Sequence, residues 1–149
     1  FVHRDFHASN IMIKNKKYGL IDSQDAIRGN LLYDVASLID DVRIKLPLTL
    51  KSSLFSYYLS KTKKIKEDEE KILAKNDFDI LSVQRNLKIL GIFVRLHKRD
   101  HKSSYLKLLP YTWKLLELRL KNPIFANLRF LMDKAVPKKN RKKFNLYDN

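Results

Sequence analysis

The chain has 149 residues, of which 44% are hydrophobic and 11% aromatic, enough for one core of ordinary domain size. It contains no cysteine, which excludes a disulfide framework and a thiolate metal site and fits a reducing compartment, so we expect a cytoplasmic protein. No long uncharged apolar run and no basic-then-apolar leader is present, so the sequence predicts neither a membrane span nor export.

The formal net charge of +15 raises nucleic acid as a partner. The distribution of the charge argues against it. Residues 1–60 carry 8 basic and 6 acidic side chains, whereas residues 61–149 carry 23 and 10. The excess lies on predicted helices and on residues 138–149, which we interpret as a solvated, partly disordered basic tail. Nucleic acid is therefore not the expected partner.

Residues 1–30 consist of short apolar runs separated by polar loops. Two of the runs, residues 11–13 and 20–21, flank a polar turn and predict a small β-hairpin. Gly19 can supply the positive φ angle that a short turn needs. Asp22 then falls at the exit of the second strand.

From residue 31 onward the apolar period becomes helical. The first pattern runs until Pro47 stops it, and this helix is expected to pack on the hairpin. A second helix is predicted over Leu48–Lys61, and then an exposed helix or linker over 63–75. Later helical patterns cover 80–97, 106–120 and 124–135, and Pro110 either kinks its helix or marks its start. The predicted fold is mainly α with a small β-hairpin region, an α+β class.

A motif at the start of the chain carries the chemistry. His3, Arg4 and Asp5, followed after four residues by Asn10, fit the H-R-D-x-x-x-x-N spacing of the protein-kinase catalytic loop. Such a loop presents a carboxylate to the acceptor hydroxyl and an amide oxygen to the metal on the nucleotide phosphates. Asp22 falls where kinases place the second metal-binding carboxylate, and these oxygens suit a hard cation such as Mg²⁺. The alternative interpretation is a set of capping and turn residues.

The motif belongs to a longer run, HRDFHASNIM…GLIDSQDAIRGNLLYDVASLIDD, which resembles the catalytic core of the aminoglycoside phosphotransferase family. Members of that family share the protein-kinase fold and phosphorylate small hydroxylated molecules. Within that family, the chain is most similar to bacterial kinases that phosphorylate the anomeric hydroxyl of N-acetylmuramate and N-acetylglucosamine in cell-wall recycling. The similarity lies in the QDA sequence shortly after Asp22, the YDVASLIDD helix, residues 84–93 and Arg95. The resemblance extends from Val2 to about Pro137.

The resemblance implies ATP and Mg²⁺ as cofactors and a small amino sugar or another alcohol as the acceptor. It implies that Asp5 is the catalytic base and that Asn10 and Asp22 are the Mg²⁺ ligands. It also implies that Asp34 hydrogen-bonds the catalytic-loop backbone, which is compatible with its interpretation as a helix-start carboxylate favoured by the macrodipole.

Other polar residues are assigned supporting roles. His3 and Arg4 are expected to hold the loop rather than touch substrate, and His7 is interpreted first as a packed loop histidine and second as a substrate contact. Four more candidates for contact with a sugar are Asp25, Arg28, Arg85 and Asn86. Two residues depart from the family pattern: Ser23 stands where an aromatic residue is usual, and Asn30 stands where proline is common. Both departures indicate relaxed constraint or a divergent site.

The nucleotide-clamping half of a kinase cannot be assigned. Gly19, Gly29 and Gly91 are the only glycines, so no glycine-rich loop exists in these residues. We expect residues 1–137 to form the C-terminal lobe of a kinase-like phosphotransferase whose N-terminal lobe lies upstream or is separately encoded, and we expect the isolated chain to be inactive. The alternatives are a non-catalytic remnant and a basic module that binds nucleic acid or protein. Aminoglycosides, choline-like alcohols and homoserine are rival acceptors.

Overall fold

The computed structural model describes residues 1–63 and 65–142. It divides into two compact units, Phe1–Ser82 and Val83–Asn149. The first unit contains a two-stranded hairpin and helices, and in the described residues of the second the regular elements are helices. The predicted class, mainly α with a small hairpin region, is confirmed.

The hairpin forms at the predicted place from β1 (Ile11–Lys14) and β2 (Lys17–Leu20), which pair antiparallel. The turn consists of Asn15 and Lys16, whose φ angles of 48° and 61° are the left-handed values that a two-residue type I′ turn requires. The prediction that Gly19 supplies the positive φ is therefore wrong. Gly19 lies inside β2, because the turn closes earlier on an asparagine, which tolerates the left-handed region.

Three helices follow in the first unit: α1 (Leu32–Ile39), α2 (Leu48–Lys61) and the first part of α3 (Asp68–Asp100), which continues into the second unit. The bounds of α2 are those predicted. Helix α1 is shorter than predicted, because Asp40 leaves the helical conformation at φ −107° and ψ 35°. The Asp41 carboxylate then accepts a hydrogen bond from a backbone N–H two residues later, which closes a turn well before Pro47.

The core of the first unit lies between its helices. Leu32, Ala36 and Ile39 of α1 pack with Ala74 and Phe78 of α3, and partly buried side chains of α2 cover them. Seven of the eight strand residues are exposed, so the hairpin does not pack against α1 as predicted. The apolar face of α1 packs against α2 and α3 instead.

The second unit contains the rest of α3 and three further helices, α4 (Leu109–Arg119), α5 (Ala126–Ala135) and α6 (Lys138–Lys142). Pro110 lies in the first turn of α4, so it marks the start of that helix rather than a kink. One core cluster of this unit contains five buried side chains: Val83, Trp113, Leu116, Leu120 and Phe125. Along the described parts of the chain, no helix has both the length and the apolar character needed to cross a membrane.

Within the predicted basic tail, residues 138–140 are exposed, whereas Arg141 is anchored rather than solvated. Arg141 is only 3% exposed and donates hydrogen bonds to the carboxylates of Glu117, at 2.9 Å, and Asp133, at 2.7 Å. It also donates to the carbonyls of Met132 and Val136 at the end of α5, where the partial negative charge of the helix terminus favours a cation. Residues 143–149 of that tail lie outside the described residues.

Candidate active site

Asp34, in the first turn of α1, holds the backbone of the predicted catalytic loop. Its Oδ2 accepts a hydrogen bond from the N–H of His3 at 2.7 Å, and its Oδ1 accepts one from the N–H of Arg4 at 3.0 Å. Hydrogen bonds to an ionised carboxylate are stronger than those between neutral groups. Asp5 therefore directly follows two residues whose backbone N–H groups are held by the side chain of Asp34, about thirty residues later in the sequence.

The residues before Asp5 are also tied to the segment around Asp22. His3 is 1% exposed, and its Nε2 lies 3.0 Å from the carbonyl oxygen of Ile21, so Nε2 carries the proton and donates it. Val2 and Ile27 exchange two backbone hydrogen bonds of 2.8 and 3.0 Å. This geometry agrees with a loop-supporting role for His3.

Two residues of the site hold an unfavourable backbone conformation. Arg4 has a φ of 73° and Asp22 a φ of 68°, which place both in the left-handed region at a cost of about 1 kcal/mol each. Arg4 also donates from Nη1 to the carbonyl oxygen of Asp25 at 3.3 Å. Backbone strain that surrounding contacts maintain is concentrated at functional sites in proteins, and here it falls on or next to the carboxylates predicted to be functional.

Asn10 and Asp22 lie at the same, open end of the hairpin. The N–H of Ile21 donates to the carbonyl oxygen of Asn10 at 3.1 Å, which extends the pairing of the strands by one step. Asn10 also donates from its side-chain Nδ2 to the backbone oxygen of Asp5 at 3.0 Å. The amide nitrogen of Asn10 is thus used to close the loop, and its Oδ1 is the atom suited to a cation.

The oxygen atoms at this end of the hairpin fit a hard divalent cation. Asp22 Oδ1 accepts a hydrogen bond of 2.6 Å from the side chain of Gln24, and this contact orients the carboxylate. Within residues 1–63 and 65–142, no group of three or more His, Cys, Asp or Glu side chains is gathered for a metal. An amide and a carboxylate are a ligand set that nucleotide phosphates and water complete around Mg²⁺. Asp5 is exposed beside them.

His7, Asp25 and Arg28 lie on the loop segment of the first unit. The N–H of His7 donates to the backbone oxygen of Asp5 at 3.0 Å, so His7 is part of the loop turn. Asp25 and Arg28 are exposed. Their contact with a substrate stays a prediction.

Arg85 and Asn86 belong to α3 within the second unit. Their exposed fractions are 7% and 0%, so both side chains are largely buried there. The structure does not bring them together with the loop residues in one unit, and their proposed contact with a sugar stays a prediction.

Asn30, one of the two departures from the family pattern, has a structural role that the sequence analysis missed. Its Oδ1 accepts a hydrogen bond from the N–H of Leu32 at 3.0 Å, and its Nδ2 donates to Asp77 of α3 at 2.8 Å. An asparagine just before a helical pattern is a capping signal, and the sequence alone could have identified Asn30 as a helix cap. Asn30 helps to place the start of α1, which also bears Asp34.

The loop, the hairpin and the helices that follow them agree with the predicted kinase-like fold. Residues 1–71 match the sequence model of the phosphotransferase enzyme family, a segment that includes the loop, the hairpin, α1 and α2. This match confirms, over these residues, the resemblance that the motif predicted.

Curated relatives of the chain are kinases of amino sugars by name. The N-acetylmuramate/N-acetylglucosamine kinase of Caulobacter vibrioides is 29% identical over 147 residues, which cover 95% of this chain and 39% of that protein. The kinase of the same name from Pseudomonas aeruginosa is 33% identical over 137 residues, covering 89% and 40%. The one from Neisseria meningitidis is 35% identical over 109 residues, covering 70% and 32%. The chain thus spans about two fifths of the length of the first two relatives.

Proposed function

We propose that the chain supplies the acceptor-activating and metal-binding half of an ATP-dependent kinase of small hydroxylated molecules. The observation that carries the proposal is that the Asp34 carboxylate accepts hydrogen bonds from the two backbone N–H groups directly before Asp5. The hairpin supports it, because it holds Asn10 and Asp22 at one end, beside that loop.

In this proposal Asp5 orients the acceptor hydroxyl and takes its proton as the oxygen attacks the γ-phosphorus of ATP. The bond from that phosphorus to the β,γ-bridging oxygen breaks, and ADP leaves. Asn10 and Asp22 hold Mg²⁺, which supplies neutralisation of charge on the transferring phosphoryl group. The part played by the chain is alignment, since phosphoryl transfer requires little covalent chemistry from the protein. The fixed backbone before Asp5 provides that alignment.

The acceptor we propose is an amino sugar, N-acetylmuramate or N-acetylglucosamine, phosphorylated at the anomeric hydroxyl. Support comes from the names of the relatives and from the match of 89–95% of the chain to two of them. Exposed Asp25 and Arg28, on the loop segment, are the residues we propose for contact with the sugar. A nucleotide-binding lobe, on the same polypeptide or a separate one, would supply the contacts to ATP, and we place the reaction in the cytoplasm.

The proposal is tested with a chimera in which this chain replaces the aligned segment of the Pseudomonas aeruginosa relative. The acceptor panel contains N-acetylmuramate, N-acetylglucosamine, an aminoglycoside, choline and homoserine. We expect ATP-dependent phosphorylation of the two amino sugars, a fall of about 100-fold or more in turnover for Asp5→Asn, and negligible transfer by the chain alone. Asp68→Asn is the matched control, because it changes an exposed aspartate at the start of α3.

Two results would contradict the proposal. One is a folded chimera that phosphorylates none of the five acceptors, as a non-catalytic remnant would. The other is equal turnover of the Asp5→Asn and Asp68→Asn chimeras. Salt-dependent binding of nucleic acid by the chain, unaffected by changes at Asp5, Asn10 and Asp22, would favour the basic binding module instead.

A further inference from the structure

A buried ion pair joins the three helices of the first unit. Lys51 of α2 is 4% exposed and Asp40, just after α1, is 1% exposed, and the Lys51 Nζ lies 2.9 Å from Asp40 Oδ1. The same Nζ donates to the carbonyl of Ile39, the last residue of α1. Ser82 of α3, fully buried, donates to Asp40 Oδ2 at 2.6 Å. One carboxylate therefore receives hydrogen bonds from α2 and α3 at the end of α1.

Each charge of this pair lies at the end of a helix that disfavours it. Asp40 is the C-terminal cap of α1, where unpaired carbonyls carry partial negative charge. Lys51 lies in the first turn of α2, where the N–H groups carry partial positive charge. Removal from water adds a further cost to both ions. Local helix preferences therefore favour neither residue at its position. The ion pair and the hydrogen bonds from Lys51 to Ile39 and from Ser82 to Asp40 compensate for this cost. Such a pattern marks sites where position matters beyond helix stability.

Helix α1 connects this ion pair to the catalytic loop. It has eight residues and is about 12 Å long, so it moves as a rigid rod. Asp34 in its first turn holds the N–H groups of His3 and Arg4, and Asp40 at its other end is held by Lys51. A shift of α1 at Asp40 therefore also shifts the catalytic loop, which is bonded to Asp34 at the other end of the helix.

We propose that Lys51 is a positioning residue for phosphoryl transfer. By holding Asp40 against Ser82, it sets the position of α1 and, through Asp34, the position of the backbone that bears Asp5. This inference rests on the proposed function for its catalytic consequence. Its structural part, coupling of Lys51 to the loop, is measurable without catalysis.

The structural part is tested by amide hydrogen exchange in the 149-residue chain. Lys51→Met is compared with Lys75→Met, a matched control because Lys75 also pairs with a buried carboxylate, that of Asp79, but within α3 alone. At a temperature where both variants are fully folded, we expect exchange of the His3 and Arg4 amides to be about 10-fold faster in Lys51→Met and unchanged in Lys75→Met. Equal exchange in the two variants would overturn the proposal.

A milder pair of variants covers the case in which Lys51→Met does not fold. Ser82→Ala removes one hydrogen bond to Asp40 and leaves the ion pair, so we expect a smaller acceleration at the same two amides. Ser37→Ala is its control, since Ser37 is a buried serine of α1 whose Oγ has no hydrogen-bond partner among the described residues. Loop exchange that is the same in Ser82→Ala and Ser37→Ala would contradict the coupling.

The catalytic consequence is measured in the chimera. For Lys51→Met we expect kcat to fall about 10- to 100-fold, with the KM for ATP and for the acceptor nearly unchanged. The reason is that the substitution displaces the catalytic base Asp5 and leaves the groups that bind the two substrates in place. Lys51→Arg keeps the charge and should recover most of kcat. If the unsubstituted chimera is inactive, the proposed function fails, and the exchange experiment still decides the coupling. Unchanged kcat in Lys51→Met within an active chimera would overturn the positioning role.

Discussion

Different interactions stabilise the first 31 residues and the helices that follow them in the first unit. Of residues 1–31 only Val2 and His3 are buried, yet this segment carries every candidate site residue of the unit except Asp34. The helices bury a core of aliphatic and aromatic side chains and expose their polar faces. The loop is thus positioned by a few directional hydrogen bonds, and the helices by burial. Substitutions in the loop should change chemistry, and substitutions at its helical anchors should change both chemistry and stability.

The largest expected effect is loss of metal binding at the open end of the hairpin. Asp22→Asn in the chimera removes the only carboxylate we assign to Mg²⁺, so we expect turnover to fall about 100- to 1,000-fold. The Mg²⁺ concentration needed for half-maximal rate should rise, as a magnesium titration would measure. A fall in turnover without any change in the magnesium requirement would remove Asp22 from the metal site.

The second effect lies at the anchor of the loop. Asp34→Ala leaves the N–H groups of His3 and Arg4 without their acceptor, so we expect the free energy of unfolding to fall by about 2–4 kcal/mol. Asp34→Asn keeps one acceptor oxygen and should lie between this variant and the native chain. Urea denaturation of the three proteins checks the order. A loss below about 0.5 kcal/mol for Asp34→Ala would show that helix packing, not this carboxylate, holds the loop.

A smaller effect, of opposite sign, is expected at the hairpin turn. Lys16 has a φ of 61°, which glycine adopts without strain, so Lys16→Gly should stabilise the chain by about 0.5–1 kcal/mol. Lys14→Gly is the control, because Lys14 lies in β1 and its φ is not positive, and it should destabilise. Thermal denaturation distinguishes the two. Destabilisation by both would show that the turn is not of the type described.

The smallest effect is a pH dependence at the start of α3. A hydrogen bond from Lys71 and its charge hold the pKa of the exposed Asp68 carboxyl below its ordinary value of 3.8. A lowered folded-state pKa means that the contribution to stability is present above 3.8 and is lost as the pH falls through the folded-state value. Asp68→Asn should therefore differ from the native chain near neutral pH and converge with it in acid. Denaturation curves at pH 6 and at pH 2–3 measure this, and a difference that grows in acid would contradict it.

The sequence predicted those features that depend on local pattern. The bounds of α2, the hairpin and the start of α4 at Pro110 follow from apolar spacing and proline geometry. The catalytic-loop motif likewise predicted which residues gather near Asp5, because its spacing is set within one short loop. These predictions needed no information about contacts between distant residues.

What the sequence did not predict depends on pairs that are far apart in the chain. Asp40 and Lys51 each lie against the local preference of their helix, so propensity gave no signal for either. Arg141 reads as one charge in a basic run, and its burial depends on where Glu117 and Asp133 lie in the fold. The helical pattern beyond Ile39 reflects burial of Val42 in a turn, which apolar spacing does not distinguish from a helix.

The most direct test of the central claim is the rate of phosphoryl transfer in a single turnover. With the chimera in excess over radiolabelled ATP and saturated with N-acetylmuramate, rapid quenching reports the chemical step without product release. The account predicts that Asp5→Asn slows this step about 100-fold or more while ATP binding stays at the native level. An unchanged single-turnover rate in Asp5→Asn would contradict it, because the acceptor would then be activated without the carboxylate that the loop, the hairpin and Asp34 hold in place.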